Sequence, residues 1–88
     1  MLAKAHYSTD QLVAERGNQI YKNLYQARYE KQYPGRFVVI DVIRKQAYVA
    51  GSGEMALAKA RAHVGDGLFH VIRIQPSASK PTYLKLVP

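Results

Sequence analysis

The sequence predicts an α+β fold in the order helix, strand, strand, helix, strand (αββαβ), with a candidate C-terminal edge strand. Three observations predict it. Apolar residues recur at three- and four-residue steps over residues 10–32, the period of a helix face. Two runs, 36–43 (RFVVIDVI) and 68–74 (LFHVIRI), are rich in β-branched residues and read as strands. Between them, residues 54–64 (EMALAKARAHV) favour a helix and follow a serine suited to capping it.

Each element has its local signals. Ser8 and Gln11 have the spacing of a capping box ahead of the long N-terminal helix. Val13, Gly17, Ile20, Leu24 and Ala27 fall on one face of that helix, and Gly17 costs helicity but lets another backbone come close. Tyr33-Pro34-Gly35 ends it, because a residue before proline avoids the helical region. Arg44-Lys45-Gln46 is a polar turn, and residues 47–50 return as the second strand of a β-hairpin. Gly51-Ser52-Gly53 breaks the pattern, and Leu57, Ala60 and Val64 form the buried stripe of the second helix. Gly65-Asp66-Gly67 supplies a left-handed stop. A hairpin followed by a helical crossover puts the third strand beside the first, giving an antiparallel sheet in the order second, first, third, with both helices on one face.

The chain has 88 residues, enough for one domain. Residues 1–9 read as a flexible N-terminus, 10–75 as the domain, and 76–88 as a tail. In that tail Leu84 and Leu86 alternate with polar neighbours, which suits an edge strand or a strand given to a neighbouring chain. Domains of this size bury only about 60–65 % of their unfolded surface. There is no cysteine, so disulfides, thiolate metal sites and thiol catalysis are excluded. Oligomerisation is the remaining way to complete a thin core. No signal peptide or membrane span is evident in the pattern, and a cytoplasmic location is expected.

Thirteen Lys and Arg against six Asp and Glu give a net charge of +7, which favours acidic partners. Only Arg44 and Lys45 are adjacent basic residues, so the charge equally reads as a dispersed, solubilising surface. Signals for chemistry are sparse. His6, His63 and His70 are not in metal-ligand spacing, and the carboxylates are scattered. Gly51-Ser52-Gly53-Glu54 before a helix lacks a phosphate-binding lysine and reads as a capped turn. A pocket gathering His70, Asp41 and Arg73 would be the route to catalysis. No catalytic, cofactor or metal site is expected.

Both faces of the first and third strands are apolar: Val38, Ile40, Leu68 and Ile72 on one, Phe37, Val39, Phe69 and Val71 on the other. An antiparallel sheet with a solvated face should alternate. With the helices on one face, the other calls for a second copy or another protein, unless the helices straddle the sheet or the tail folds back. Tyr21, Tyr25, Tyr29 and Tyr33 recur every four residues, and each step drifts about 40° around a helix. Tyr25 and Tyr29 are thus expected outside the core stripe, as contact residues with Tyr21 or as braces on the chain's own sheet. With Lys22, Arg28, Arg36, Arg44 and Lys45 they also form a candidate nucleic-acid surface.

Pro34-Gly35-Arg36-Phe37-Val38-Val39-Ile40-Asp41, then Tyr48, then Glu54, Ala56, Leu57 and Ala60, then residues 68–74, resemble a group of small prokaryotic proteins. Their pattern is a glycine-led FVVID strand, a short return strand, an EAL..A helix and an LFYVIRIG strand. Their function is unknown, and some resemble antitoxin-like partner proteins of two-gene loci. Gln75-Pro76 stand where that group has a glycine. The resemblance implies a β-β-α-β core and an accessory role, and it transfers no active site. The expected function is a non-catalytic adaptor or regulator, antitoxin-like in one form, acting as a homodimer or with a partner protein. Its contacts are expected at Tyr21, Tyr25, Tyr29, Val38, Ile40, Leu68, Ile72, Leu84 and Leu86. The alternative is a basic nucleic-acid-binding module.

Overall fold

The computed structural model describes residues 9–76. Helix α1 (Thr9–Ile20) runs through a π-helical turn (Tyr21–Tyr25) into α2 (Gln26–Gln32). Strands β1 (Phe37–Asp41) and β2 (Gln46–Ala50), helix α3 (Gly53–Val64) and strand β3 (Phe69–Arg73) follow. The sheet has the expected order β2-β1-β3, with each neighbouring pair antiparallel. The Ser8 cap and the tail strand with Leu84 and Leu86 lie outside the described residues.

The helices do not share a face, which corrects the expected layering. Val38, Ile40, Ile74 and Tyr21 are buried on one side of the sheet, with the half-buried Ile20, Tyr25, Tyr29 and Tyr33 packed against them. Val39, Ala56 and Ala60 are buried on the other, with the half-buried Leu57 and Phe69 packed against them. Connectivity explains this. Strands β2 and β3 both run antiparallel to β1, so α3 is a crossover between two parallel strands. Such crossovers are right-handed almost without exception, which confines α3 to one face. The opposite face is left for α1 and α2. The apolar residues on both faces of β1 are therefore hidden by the chain itself, and Val38 and Ile40 are both 0 % exposed. Neither can contact a partner.

Local chemistry fixes the joints. Ser52 Oγ accepts the Met55 N–H at 3.1 Å, the expected cap of α3, and Gly65 ends that helix at φ 72°. The β1–β2 turn is built on Asp41. Its buried carboxylate accepts the N–H groups of Ile43 and Arg44, each at 3.0 Å, and meets the Arg44 guanidinium at 3.2 Å. This local side-chain turn, with Lys45 in the left-handed region (φ 59°), holds the hairpin tip. The Tyr25 hydroxyl ties that tip to the helix by donating to the Lys45 carbonyl at 2.6 Å.

The π turn decides which tyrosines meet the sheet. A four-residue step in an α-helix overshoots one turn by about 40°. In the wider π turn it falls short instead. The step from Tyr21 to Tyr25 thus offsets the next, and Tyr25, Tyr29 and Tyr33 stay against the sheet. Leu24 and Ala27, expected in the core stripe, are exposed. The Tyr25 and Tyr29 rings lie 5.2 Å apart, and Tyr29 and Tyr33 make an edge contact at 5.1 Å. Tyr21 is 6 % exposed, and burial, then the nearby Glu30 carboxylate, raises its pKa. Its hydroxyl is buried and makes no hydrogen bond among the described residues.

Two substitutions test this packing. A Cβ on Gly17 would sit 2.6 Å from His70 Cβ, on the strand beneath. Gly17→Ala gains helix propensity of about 1 kcal/mol, but overpacking costs about 1–3 kcal/mol. Urea denaturation is expected to show a net loss; a more stable variant would contradict the close approach. Tyr21→Phe removes an unpartnered polar atom, whose burial costs about 1–3 kcal/mol. Its unfolding midpoint is expected to hold or rise, and a clear fall would show that the hydroxyl is bonded.

Candidate functional site

The sheet has two edges, and they differ. In an antiparallel ladder alternate residues turn their backbone groups toward a given neighbour. The Val42 N–H donates to the Leu68 carbonyl and the Ile74 N–H to the Arg36 carbonyl, both at 2.8–2.9 Å. With Ile40 opposite His70 and Val38 opposite Ile72, these set the parity of β3. Leu68, His70, Ile72 and Ile74 bond to β1, so Phe69, Val71 and Arg73 turn their N–H and C=O groups outward. No partner for those outward groups exists among the described residues. On β2 the outward residues are Ala47 and Val49. There Lys59 Nζ donates to the Val49 carbonyl at 2.8 Å and blunts the edge.

The β3 edge forms the floor of a groove of about 430 Å³. Asp10 and Val13 of α1 form one wall, Leu57 and Arg61 of α3 the other, and residues 67–71 the base. Because the helices flank opposite faces, both walls rise beside the edge and leave it accessible between them. Val71 and Leu68 are each 40 % exposed. At the end of β3 nearest the hairpin tip the groove meets a second apolar depression lined by Leu12, Val13, Ile43 and Leu68, with Arg16 and Lys45 at its rim. Ile43 is 62 % exposed and Leu12 47 %. The site thus offers unpaired strand backbone, apolar walls and a cationic rim.

His70 anchors the α1 wall. Its Nε2 lies 3.0 Å from Asn18 Oδ1, a bond in which the ring N–H donates to the amide oxygen. Burial under Gly17 lowers its pKa from the ordinary 6.5. Asp41 and Arg73 leave the opposite face of the sheet, since Asp41 pairs with Phe69 and Arg73 with Phe37. The three residues therefore do not converge. Among the described residues no group of three His, Asp or Glu can hold a metal ion.

Of the expected contact residues that are described, Leu68 alone lies in the groove; Leu84 and Leu86 lie outside the described residues. Val38 and Ile40 are sealed under the long helix, and Tyr21 is buried with them. Tyr25, Tyr29 and Ile72 are partly buried against that same core, because the π turn aims the tyrosines at the sheet. The tyrosine row thus braces the chain internally, with the Arg28 guanidinium 5.5 Å over the Tyr29 ring. Lys22, Arg28, Arg36, Arg44 and Lys45 are exposed but dispersed. Arg44 is paired with Asp41, and Lys45 is at the hairpin tip. Arg36 is beside β3 at the opposite end of the sheet. Val13, Leu57, Arg61, Phe69 and Val71 were not anticipated as site residues. Their signal was topological: in the order second, first, third, the third strand is an edge, and this one is apolar on both sides. No helix among the described residues is long and apolar enough to cross a membrane.

The His70 environment gives a pH signature. A histidine whose folded pKa is lowered contributes stability that is full above its unfolded value of 6.5 and is lost as pH falls from there through the lowered folded value. Urea midpoints are expected to drop between pH 8 and pH 5, and to drop less in His70→Gln. An equal drop in both proteins would place the titration elsewhere.

Compared with protein-family models, curated proteins and solved structures, the chain matches none.

Proposed function

We propose that this protein is a small non-catalytic interaction or regulatory module, adaptor-like or antitoxin-like, that works by binding another polypeptide along β3. One observation carries the reading. Phe69 and Val71 turn unpaired backbone into a groove walled by Val13 and Leu57 beside Asp10 and Arg61, and Arg73 continues the same outward edge beyond it, whereas the opposite edge is blunted by Lys59. An added strand gains main-chain hydrogen bonds from such an edge and specificity from the pockets beside it. Natural edges are usually protected by charge, proline or cover, and β3 shows none of these at its centre. The polypeptide is a partner protein or a second copy of the chain. The nucleic-acid reading gains no support from the tyrosines, whose rings stack on one another and on the core.

Val71→Pro tests the edge without touching the ladder. The Val71 N–H points outward, so proline there removes no bond to β1, and edge strands tolerate it. The tagged full chain, expressed in its cell of origin, is expected to retain one polypeptide in stoichiometric amount, or a second copy of itself. The variant, folded by circular dichroism, should retain neither. Equal retention by the two proteins would contradict binding through this edge.

A further inference from the structure

Resting on that reading, we propose that the occupant of the β3 groove is an extended acidic segment of a different protein, with carboxylates alternating with apolar residues, and not a second copy of this chain. The charge around the edge carries the argument. Arg61 stands on the α3 wall. Arg16 and Lys45 rim the depression beside Leu68. Arg73 and Lys22 lie together at the far end of the strand. Among the described residues none of the five is within salt-bridge distance of a carboxylate, and the one ion pair joins Arg44 and Asp41, away from the groove. Against them stand Asp10, at the start of α1, and Glu30, which accepts a hydrogen bond from Gln26. Glu30 lines the same depression as Arg73 and Lys22, and Asp10 the same groove as Arg61, so cations outnumber carboxylates at both ends of the unpaired strand, and this excess creates a positive field along it, which steers and holds a chain of opposite sign.

The walls set the rest of the pattern. Side chains of an added strand alternate between the two faces of the sheet. On one face they meet Val13 and Leu68; on the other they meet Leu57 and Val71. Apolar side chains near the middle of the segment suit both walls, and carboxylates toward its ends suit Arg61, Arg16, Arg73 and Lys22. A second copy meets the same surface with the same sign. Pairing two β3 strands antiparallel about Val71 places Arg73 of each across from residue 69 of the other, bringing the cationic rims together. Each chain carries a net charge of +7, so this arrangement adds repulsion where the acidic segment removes it.

The test is selection from an unbiased library of random twelve-residue peptides on the immobilised full chain, with light scattering of the free protein. We expect the chain to be monomeric at micromolar concentration. We also expect selected peptides to alternate apolar residues with Asp or Glu, and to weaken at least about tenfold on Val71→Pro and on the pair Arg61→Gln, Arg73→Gln. Rising salt should weaken them further. The paired charge variant keeps the backbone edge, so strand addition and charge recognition separate. Selected peptides that are neutral or basic, yet are lost on Val71→Pro, would overturn the acidic occupant and leave capture at the edge standing. A dimer abolished by Val71→Pro would overturn it in favour of a second copy. Peptides indifferent to Val71→Pro would overturn both this inference and the reading on which it rests.

Discussion

Strand β1 serves two helices at once, and the rest of the molecule depends on that arrangement. Val38 and Ile40 pack under α1 and its continuation, Val39 packs under α3, and all three are fully buried. A strand buried on both faces reads as a continuous apolar run, and FVVI is such a run. Among the described residues, three strands and two helical layers make a thin body. The centre strand must therefore satisfy both layers with no residue to spare. With both helices committed to the faces, no helix among the described residues remains to cover an edge. The accessible β3 is a consequence of how the core is closed.

The π turn is the second constraint. It realigns Tyr25, Tyr29 and Tyr33 with the sheet, and it allows Tyr25 to tie the helix to the hairpin tip. It also leaves the Tyr21 hydroxyl buried without a bond among the described residues. π turns occur mostly as single insertions in α-helices, frequently at functional sites. Here its evident role is structural: it keeps large amphipathic rings on a small sheet where an unbroken helix would rotate them away. The same tie fixes the hairpin tip, whose Ile43 and Lys45 border the apolar end of the groove.

Much of this was legible in the residues. The strands, the hairpin, the sheet order, the Ser52 cap and the Gly65 stop follow from propensity and turn chemistry, which act over a few residues. Gly17 was legible as a close approach, although the strand it meets was not. The layering differs from the expected single helical face because apolarity on both faces of a strand has two solutions, a second layer of the same chain or another molecule, and the structure has the straddling alternative. The handedness of the β2-α3-β3 crossover selects the first. Of the two readings the sequence leaves for the tyrosine row, contact surface or internal brace, the structure has the brace; an unbroken α-helical period rotates Tyr25 and Tyr29 away from the core, and local pattern does not reveal where a helix widens. Of the site, Leu68 was seen and Val71 was not. Val71 looks like any core residue until the strand order places it on an edge.

Native-state amide exchange measured residue by residue tests most directly whether the fold closes its faces and leaves one edge accessible. Amides of Val38, Val39 and Ile40 should exchange slowest, with His70 and Ile72 close behind. Those of Phe69, Val71 and Arg73 should exchange far faster, although they alternate with protected neighbours on the same strand. If Val71 and Arg73 were as protected as Ile72 in the lone chain, the edge would already be paired, and the account of the binding surface would be wrong.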